Sequence, residues 1–189
     1  MKLERTTEPA GLPISQTLAE DFLNLSPGED SALVLNAMGA ATDELENDLD
    51  MALINQGWTI KLDKFPRGGV ITLPKGFNVV INSFSYIDAD EVEQPLVQDV
   101  DYTVTTLGYE ARIKAIGSFP QANTDLQNVV TVVFTVGLGA DDTEMPAWVQ
   151  QALLFKIQQN YDSCEDVAKG YDSIVDRRKL YYDYIINDY

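Results

Sequence analysis

From Trp58 onward the chain alternates apolar and polar side chains, and it does so in short runs as far as Gly139. The run Trp58-Thr59-Ile60-Lys61-Leu62-Asp63-Lys64-Phe65 leads through Pro66-Arg67-Gly68-Gly69 into Val70-Ile71-Thr72-Leu73-Pro74. Period-two alternation bounded by Gly and Pro predicts two half-buried antiparallel strands joined by a tight turn. Further strands are expected over residues 77–87, 92–97, 102–106 and 110–115, with Asp88-Ala89-Asp90-Glu91 as a turn and residues 119–126 as a loop. The strongest strand pattern covers residues 128–136, where Val129, Val130, Val132, Val133, Phe134 and Val136 crowd into one segment. About six strands at roughly ten-residue spacing suggest a small sandwich or an open barrel.

On both sides of this region the apolar period lengthens to that of a helix. Ser15 is placed to cap a first helix carrying Leu18, Ala19, Phe22 and Leu23, which Ser26-Pro27-Gly28 stops. Asp30 is placed to cap a second, with Leu33, Ala37, Met38, Ala41, Leu45 and Leu49 as its apolar stripe. Gly39 inside that stripe either weakens the helix by about 1 kcal/mol relative to Ala or marks a close approach. Gly57 is expected to separate helix from sheet. After Pro146, residues Val149, Ala152, Leu153, Ile157 and Tyr161 repeat the helical spacing. The fold class is therefore α+β, a helical bundle with an inserted antiparallel β module. The expected division is an irregular N-terminal arm (1–13), a helical domain (14–57 and 144–170), an inserted β domain (58–143) and a C-terminal docking tail (171–189).

Composition changes the picture through charge. The 189 residues carry 30 Asp and Glu against 13 Lys and Arg, a formal net charge of −17. Such a surface repels phosphate backbones and anionic lipid. There is no histidine, which removes the usual acid–base group near neutral pH and the commonest metal ligand. Cys164 is alone, so no intramolecular disulfide forms, and a reducing cytoplasm is the expected folding compartment. No apolar run follows the N-terminal charges, and none reaches the ~20 residues of a membrane span. These features point away from an enzyme, a cofactor or metal site, and a membrane protein.

Three groups of residues are candidates for interaction. Asp43, Glu44, Glu46, Asp48 and Asp50 place five carboxylates on the second helix, as a solvated face or as a negative wall along which DNA slides without sticking. Lys61, Lys64, Arg67 and Lys75 cluster around the predicted hairpin, as edge decoration or as a basic surface for the acidic face of a neighbouring copy. Arg177, Arg178 and Lys179, with Tyr181, Tyr182, Tyr184 and Ile185, give the tail the aromatic and basic character of an interface anchor. Asp88, Asp90, Glu91 and Glu93 lack the glycine and flanking helices of a calcium loop, so a plain turn is expected there.

The order of these elements resembles a known family. Leu53-Ile54-Asn55-Gln56-Gly57-Trp58 leads into Thr59–Pro66, then Ile71-x-Leu73-Pro74, Val80–Asp88 and Asp101-Tyr102-x-Val104. Val132–Gly139 then enters Met145-Pro146-Ala147-Trp148 and the residues that follow. Over roughly residues 12–165 this is similar to the head–tail connector (adaptor) proteins of long-tailed bacteriophages. The resemblance implies a non-enzymatic virion protein, made and assembled in the host cytoplasm. It implies a homo-oligomeric ring, typically of twelve copies, that joins the portal to the tail or head-closure ring and forms part of the DNA channel, with no specific DNA binding. The alternatives are another neck or tail ring protein (head closure or tail terminator) and an acidic module that mimics DNA.

Overall fold

The computed structural model describes residues 1–76, 78–106, 110–162 and 172–176. It is an α+β fold that separates into two compact units, one of residues 1–9 and 56–137, the other of residues 10–55 and 138–189. The first unit holds two antiparallel sheets, neither closed into a barrel. Its strands are β1 (Lys2–Thr7), β2 (Gln56–Leu62), β3 (Val70–Leu73), β4 (Val80–Ile87), β5 (Glu93–Pro95), β6 (Tyr102–Thr105), β7 (Ala111–Ala115) and β8 (Val130–Val136). The larger sheet runs β1-β2-β8-β4-β5 and the smaller β3-β7-β6.

Strand β8 sits at the centre of the larger sheet and is buried at every second residue, as its alternation requires. Ile60, Val132 and Phe84 form one cross-strand row on the inner face, all essentially without solvent contact. Ile71, Ile113 and Val104 form the matching row of the smaller sheet. The two inner faces are joined by aromatic rings. Phe84 meets Tyr102 edge-on at 5.0 Å, while Phe65 stacks on Phe119 at 4.5 Å and stands edge-on to Phe84 and Tyr86. Aromatic pairs of this kind add about 0.5–1.5 kcal/mol each beyond the area that they bury.

Two features of this unit differ from the sequence expectation. The predicted hairpin between residues 58–65 and 70–74 does not pair with itself. Residues 63–69 do turn the chain, with Gly69 N–H donating to Pro66 O at 3.0 Å. However, both edges of β2 are already taken, by β1 and by β8, so β3 joins β7 in the other sheet. Residues 2–7, expected to be irregular, form β1. With Leu3 as its one strongly apolar residue the segment has little strand pattern, and it is held by the backbone groups that β2 offers on its open side.

The second unit is built from α1 (Gln16–Leu23), α2 (Ser31–Leu49) and α3 (Ala147–Asp162). Ser15 caps α1 as expected, its side chain accepting from Leu18 N–H. Glu20, only 6% exposed, accepts from Gln16 Nε2 at 2.6 Å and from Gly28 N–H at 3.2 Å, and so ties α1 to the turn that leads into α2. Asp30 stands at the start of α2 but makes no side-chain cap, being left-handed at φ 50°. Its carboxylate instead accepts from the Tyr161 hydroxyl of α3 at 2.9 Å. The buried stripe of α2 is Val34, Ala37, Met38, Ala41, Leu45 and Leu49, with Leu33 rotated out to 49% exposure. It packs on α3, whose Val149, Ala152, Leu153 and Ile157 are buried, while Phe155 meets Phe22 of α1.

Three substitutions test this account. A Cβ on Gly39 would meet nothing within 4 Å, so the close-approach explanation fails and Gly39→Ala is expected to stabilise the protein by about 0.5–1 kcal/mol. A Cβ on Gly57 would meet Thr7 side-chain atoms at 2.8 and 2.9 Å, so Gly57→Ala is expected to loosen β1 and lower the melting temperature. Phe84→Ala is expected to cost about 3–5 kcal/mol in urea unfolding, because it empties the space between the sheets.

Candidate functional site

The structure sorts the sequence candidates by the contacts they make. Asp43 and Asp48 are exposed on α2, and Asp50 is exposed as its left-handed C-cap. Glu44 and Glu46 are half-buried and serve the fold: Glu44 pairs with Lys156 of α3, and Glu46 Oε1 accepts from Leu53 N–H at 2.8 Å. The five carboxylates therefore do not form one solvated face. No base stands in the last turn of α2, so its acids oppose the negative end of its own dipole, an arrangement that costs about 0.3–1 kcal/mol per charge at low ionic strength.

The four bases expected on a hairpin are spread out because the hairpin is not formed. Lys61 lies in β2 beside Lys2 and Thr131, on the outer face of the larger sheet. Lys64 and Arg67 are exposed in the loop between β2 and β3. Lys75, half-buried at φ 80°, carries its ammonium 5.5 Å from the centre of the Trp58 ring. The tail candidates Arg177, Arg178, Lys179, Tyr181, Tyr182, Tyr184 and Ile185 lie outside the described residues, as does Cys164.

Two bases escaped notice in the sequence. In β7, Ala111-Arg112-Ile113-Lys114-Ala115 alternates buried and exposed without exception, and both exposed positions are basic. Arg112 is flanked by Thr72 and Thr105, and Lys114 by Val70 and Thr103, across the smaller sheet. The strand was expected, but the basic face appears only when the neighbouring strands are known.

Charge is divided between the two units. Residues 10–55 and 138–189 contain nineteen Asp and Glu and five bases, of which Lys156 is paired with Glu44. The β unit contains eleven acids and eight bases. Among the described residues, Lys61, Lys64, Arg67, Arg112 and Lys114 have no carboxylate within ion-pair distance.

The acidic segment after β4 is a turn. Asp88 Oδ1 accepts from the N–H groups of Asp90 and Val92 at 2.9 and 3.0 Å, and Oδ2 from Gln94 Nε2 at 2.7 Å. The Gln94 bond, with help from Val92, holds the Asp88 carboxyl below the usual aspartate range. Burial, followed by the charges of Asp99 and Asp101, pushes the Tyr102 phenol up. Beside β4 an open groove of about 490 Å³ is lined by Asn82–Ser85, Glu93, Pro95 and Leu96. Its Glu93 is held by Ser85 Oγ at 2.7 Å. Among the described residues no group of three or more Cys, Asp or Glu is placed to hold a metal ion. The candidate interaction surfaces are therefore the exposed acids of α2 in one unit and the basic outer face of β7 in the other, each taken by itself.

Compared with family models and with curated proteins, the chain matches none. Solved structures do match. A chain from the neck of an empty gene transfer agent (GTA) particle computed with C6 symmetry is 25% identical, with a TM-score of 0.73 over 86% of this chain and 84% of that one. Its structural neighbours are neck regions of phage-like particles. A chain in the virion of a native GTA particle reaches a TM-score of 0.77 at 24% identity, over 94% of both chains. A third, in the neck of a native GTA particle computed with C12 symmetry, gives 0.71 at 24%, again over 94% of both. These neighbours are consistent with the resemblance to head–tail connectors.

Asp88 supplies a test of the turn. Its lowered folded-state pKa means that its contribution to stability is complete above the ordinary aspartate range and is lost as pH falls through the lowered value. Asp88→Asn is therefore expected to lower the melting temperature at neutral pH and to leave it nearer to wild type in strong acid, as thermal melts across a pH series would read.

Proposed function

We propose that the protein is a structural subunit of the neck of a phage-like virion, an adaptor that forms a ring between the portal and the tail or head-closure ring. The observation that carries this is the backbone likeness to a GTA neck chain at 25% identity over most of both chains. The C6 and C12 symmetries of the neighbouring necks support a ring, and twelve copies satisfy both. A closed ring needs contacts in which one surface of a copy meets a different surface of the next. The exposed acids of α2 suit a channel wall that repels DNA phosphates, so DNA passes without specific binding. The basic and aromatic segment 177–185 is the proposed element that docks on the portal or on an adjacent subunit, on its composition alone. The chain performs no catalytic step and takes no cofactor, and it is assembled in the host cytoplasm into the virion.

The test is to locate a tagged copy in purified particles. The label is expected at the neck, with particles lacking the protein recovered as unjoined heads and tails. Label spread over the capsid or along the tail tube, or normal particles without the protein, would overturn the reading. The purified chain should also fail to retain duplex DNA at physiological salt.

A further inference from the structure

One edge of the larger sheet is only half covered. Strand β5 pairs with β4 at Ser85, Tyr86 and Ile87, and Leu96 N–H, donating to Phe84 O at 2.8 Å, makes the next bond on that side. Beyond it, residues 80–83 pair with β8 alone, and among the described residues their other edge is open. Val80-Ile81-Asn82-Ser83 presents this edge without a charge or a proline, the devices that usually deter a further strand. Val80 is 62% exposed, and Val97, which follows Leu96, is 54% exposed. The open groove beside β4 includes Ser83, Glu93 and Leu96 in its lining. The surroundings are acidic. No Lys or Arg occurs between Lys75 and Arg112. Among the described residues Asp90, Glu91, Glu93 and Asp99 have no base within ion-pair distance. Asp101 fixes the turn after β5, its carboxylate accepting from Val97 N–H at 2.7 Å.

We propose that this edge takes residues 180–184 of a second copy as an added strand, with Arg177, Arg178 and Lys179 of that copy beside the acids of the turn 97–101. This rests on the ring reading above and names the surface of the adjacent subunit that receives the tail. Composition points to this occupant. Residues 177–179 are the densest basic run in the chain, and they stand directly before Leu180-Tyr181-Tyr182-Asp183-Tyr184, whose aromatic side chains favour a strand. Length allows it, since the thirteen residues after Asp176 span about 40 Å when extended. Direction agrees with charge. A strand laid antiparallel to β4, as β5 is, enters at the Phe84 end and runs toward Val80. The bases that precede it then lie where β5 ends, beside Asp99 and Asp101. The opposite direction would place them at the other end of β4, and residues 76–87 have no carboxylate. Backbone bonds along an open edge supply the affinity, and the flanking charges select the peptide and its direction. The tail of one copy and the edge of the next are different surfaces, as a closed ring requires.

Copies labelled with heavy nitrogen are mixed with unlabelled copies at physiological ionic strength and treated with a carbodiimide, which joins an amine to a carboxylate in contact with it. Mass spectrometry then separates links between copies from links within one. Lys179 is expected to link between copies to Glu93, Asp99 or Asp101. Hydrogen exchange is expected to slow at the amides of residues 80–83 as copies associate. By sedimentation, Arg177→Glu/Arg178→Glu/Lys179→Glu is expected to weaken self-association at least about tenfold and to abolish that slowing, and adding Glu93→Lys/Asp99→Lys is expected to restore both. Tyr182→Pro, which removes one amide from the added strand and leaves the charges in place, is expected to act like the triple variant. Circular dichroism should show all three variants folded. Links from Lys179 within one copy or to other acids, no link between copies, unchanged exchange at residues 80–83, or undiminished association of the tail variants would each overturn the contact. Neck localisation of the tagged protein is read separately, so this contact can fail while the ring reading stands.

Discussion

The fold depends on a short zipper where the chain leaves the helical unit and returns to it. Leu138 N–H donates to Leu53 O, and Asn55 N–H donates to Gly139 O, both at 2.9 Å. Residues 51–54 are almost wholly buried at this point. The insert therefore begins and ends at one place: Ile54 and Gly139 form an isolated parallel bridge, and just beyond it β2 and β8, the first and last central strands, pair antiparallel. Closing a loop as long as residues 56–137 costs chain entropy that grows only slowly with length. Most of that cost is met once the two strands have paired. Gly139 is the tight point, because a Cβ there would meet Glu144 at 2.6 Å and Met145 at 2.8 Å. The same Glu144 accepts from Ala140 N–H at 2.6 Å, so the return to α3 is also fixed.

Within the β unit, the alternation that buries one face leaves the other free for partners. The inner face is consumed by the aromatic cluster and the Ile and Val rows. The outer faces carry threonine, serine and lysine, which suit contact with another polar surface. Loops longer than the turns require, such as residues 116–129, are held by local side-chain bonds, as where Asn123 Oδ1 accepts from Asp125 and Leu126 N–H. Among the described residues the unit thus presents firm polar surfaces.

Much of this was legible along the chain. The change of period from about 3.6 to 2 and back located α2, β8 and α3, because each has a long enough run for the pattern to dominate. Pairing was less legible. Residues 58–74 have every local mark of a hairpin, yet β2 and β3 belong to different sheets, since the partners of β2 lie at residues 2–7 and 130–136 and no local signal reports them. The acids of α2 were read as one face, although Glu44 and Glu46 have tertiary partners in Lys156 and the Leu53 amide. Arg112 and Lys114 were visible as alternation, but their meaning depends on the threonines of β3 and β6, which only the sheet order brings beside them.

The division of charge also bears on how subunits with a net charge of −17 can associate at all. At very low ionic strength the repulsion between whole subunits reaches far and opposes assembly. Near physiological ionic strength the screening length falls to about 8 Å, which removes most of the repulsion between distant acids. Contacts between opposite charges at ion-pair distance lie well inside that length and survive. At much higher salt these contacts weaken as well. A uniformly acidic chain would only gain from added salt, whereas one with segregated charge has an optimum between the two limits. Segregated charge thus favours association through short-range complementarity, with net charge setting the range of salt over which it can occur.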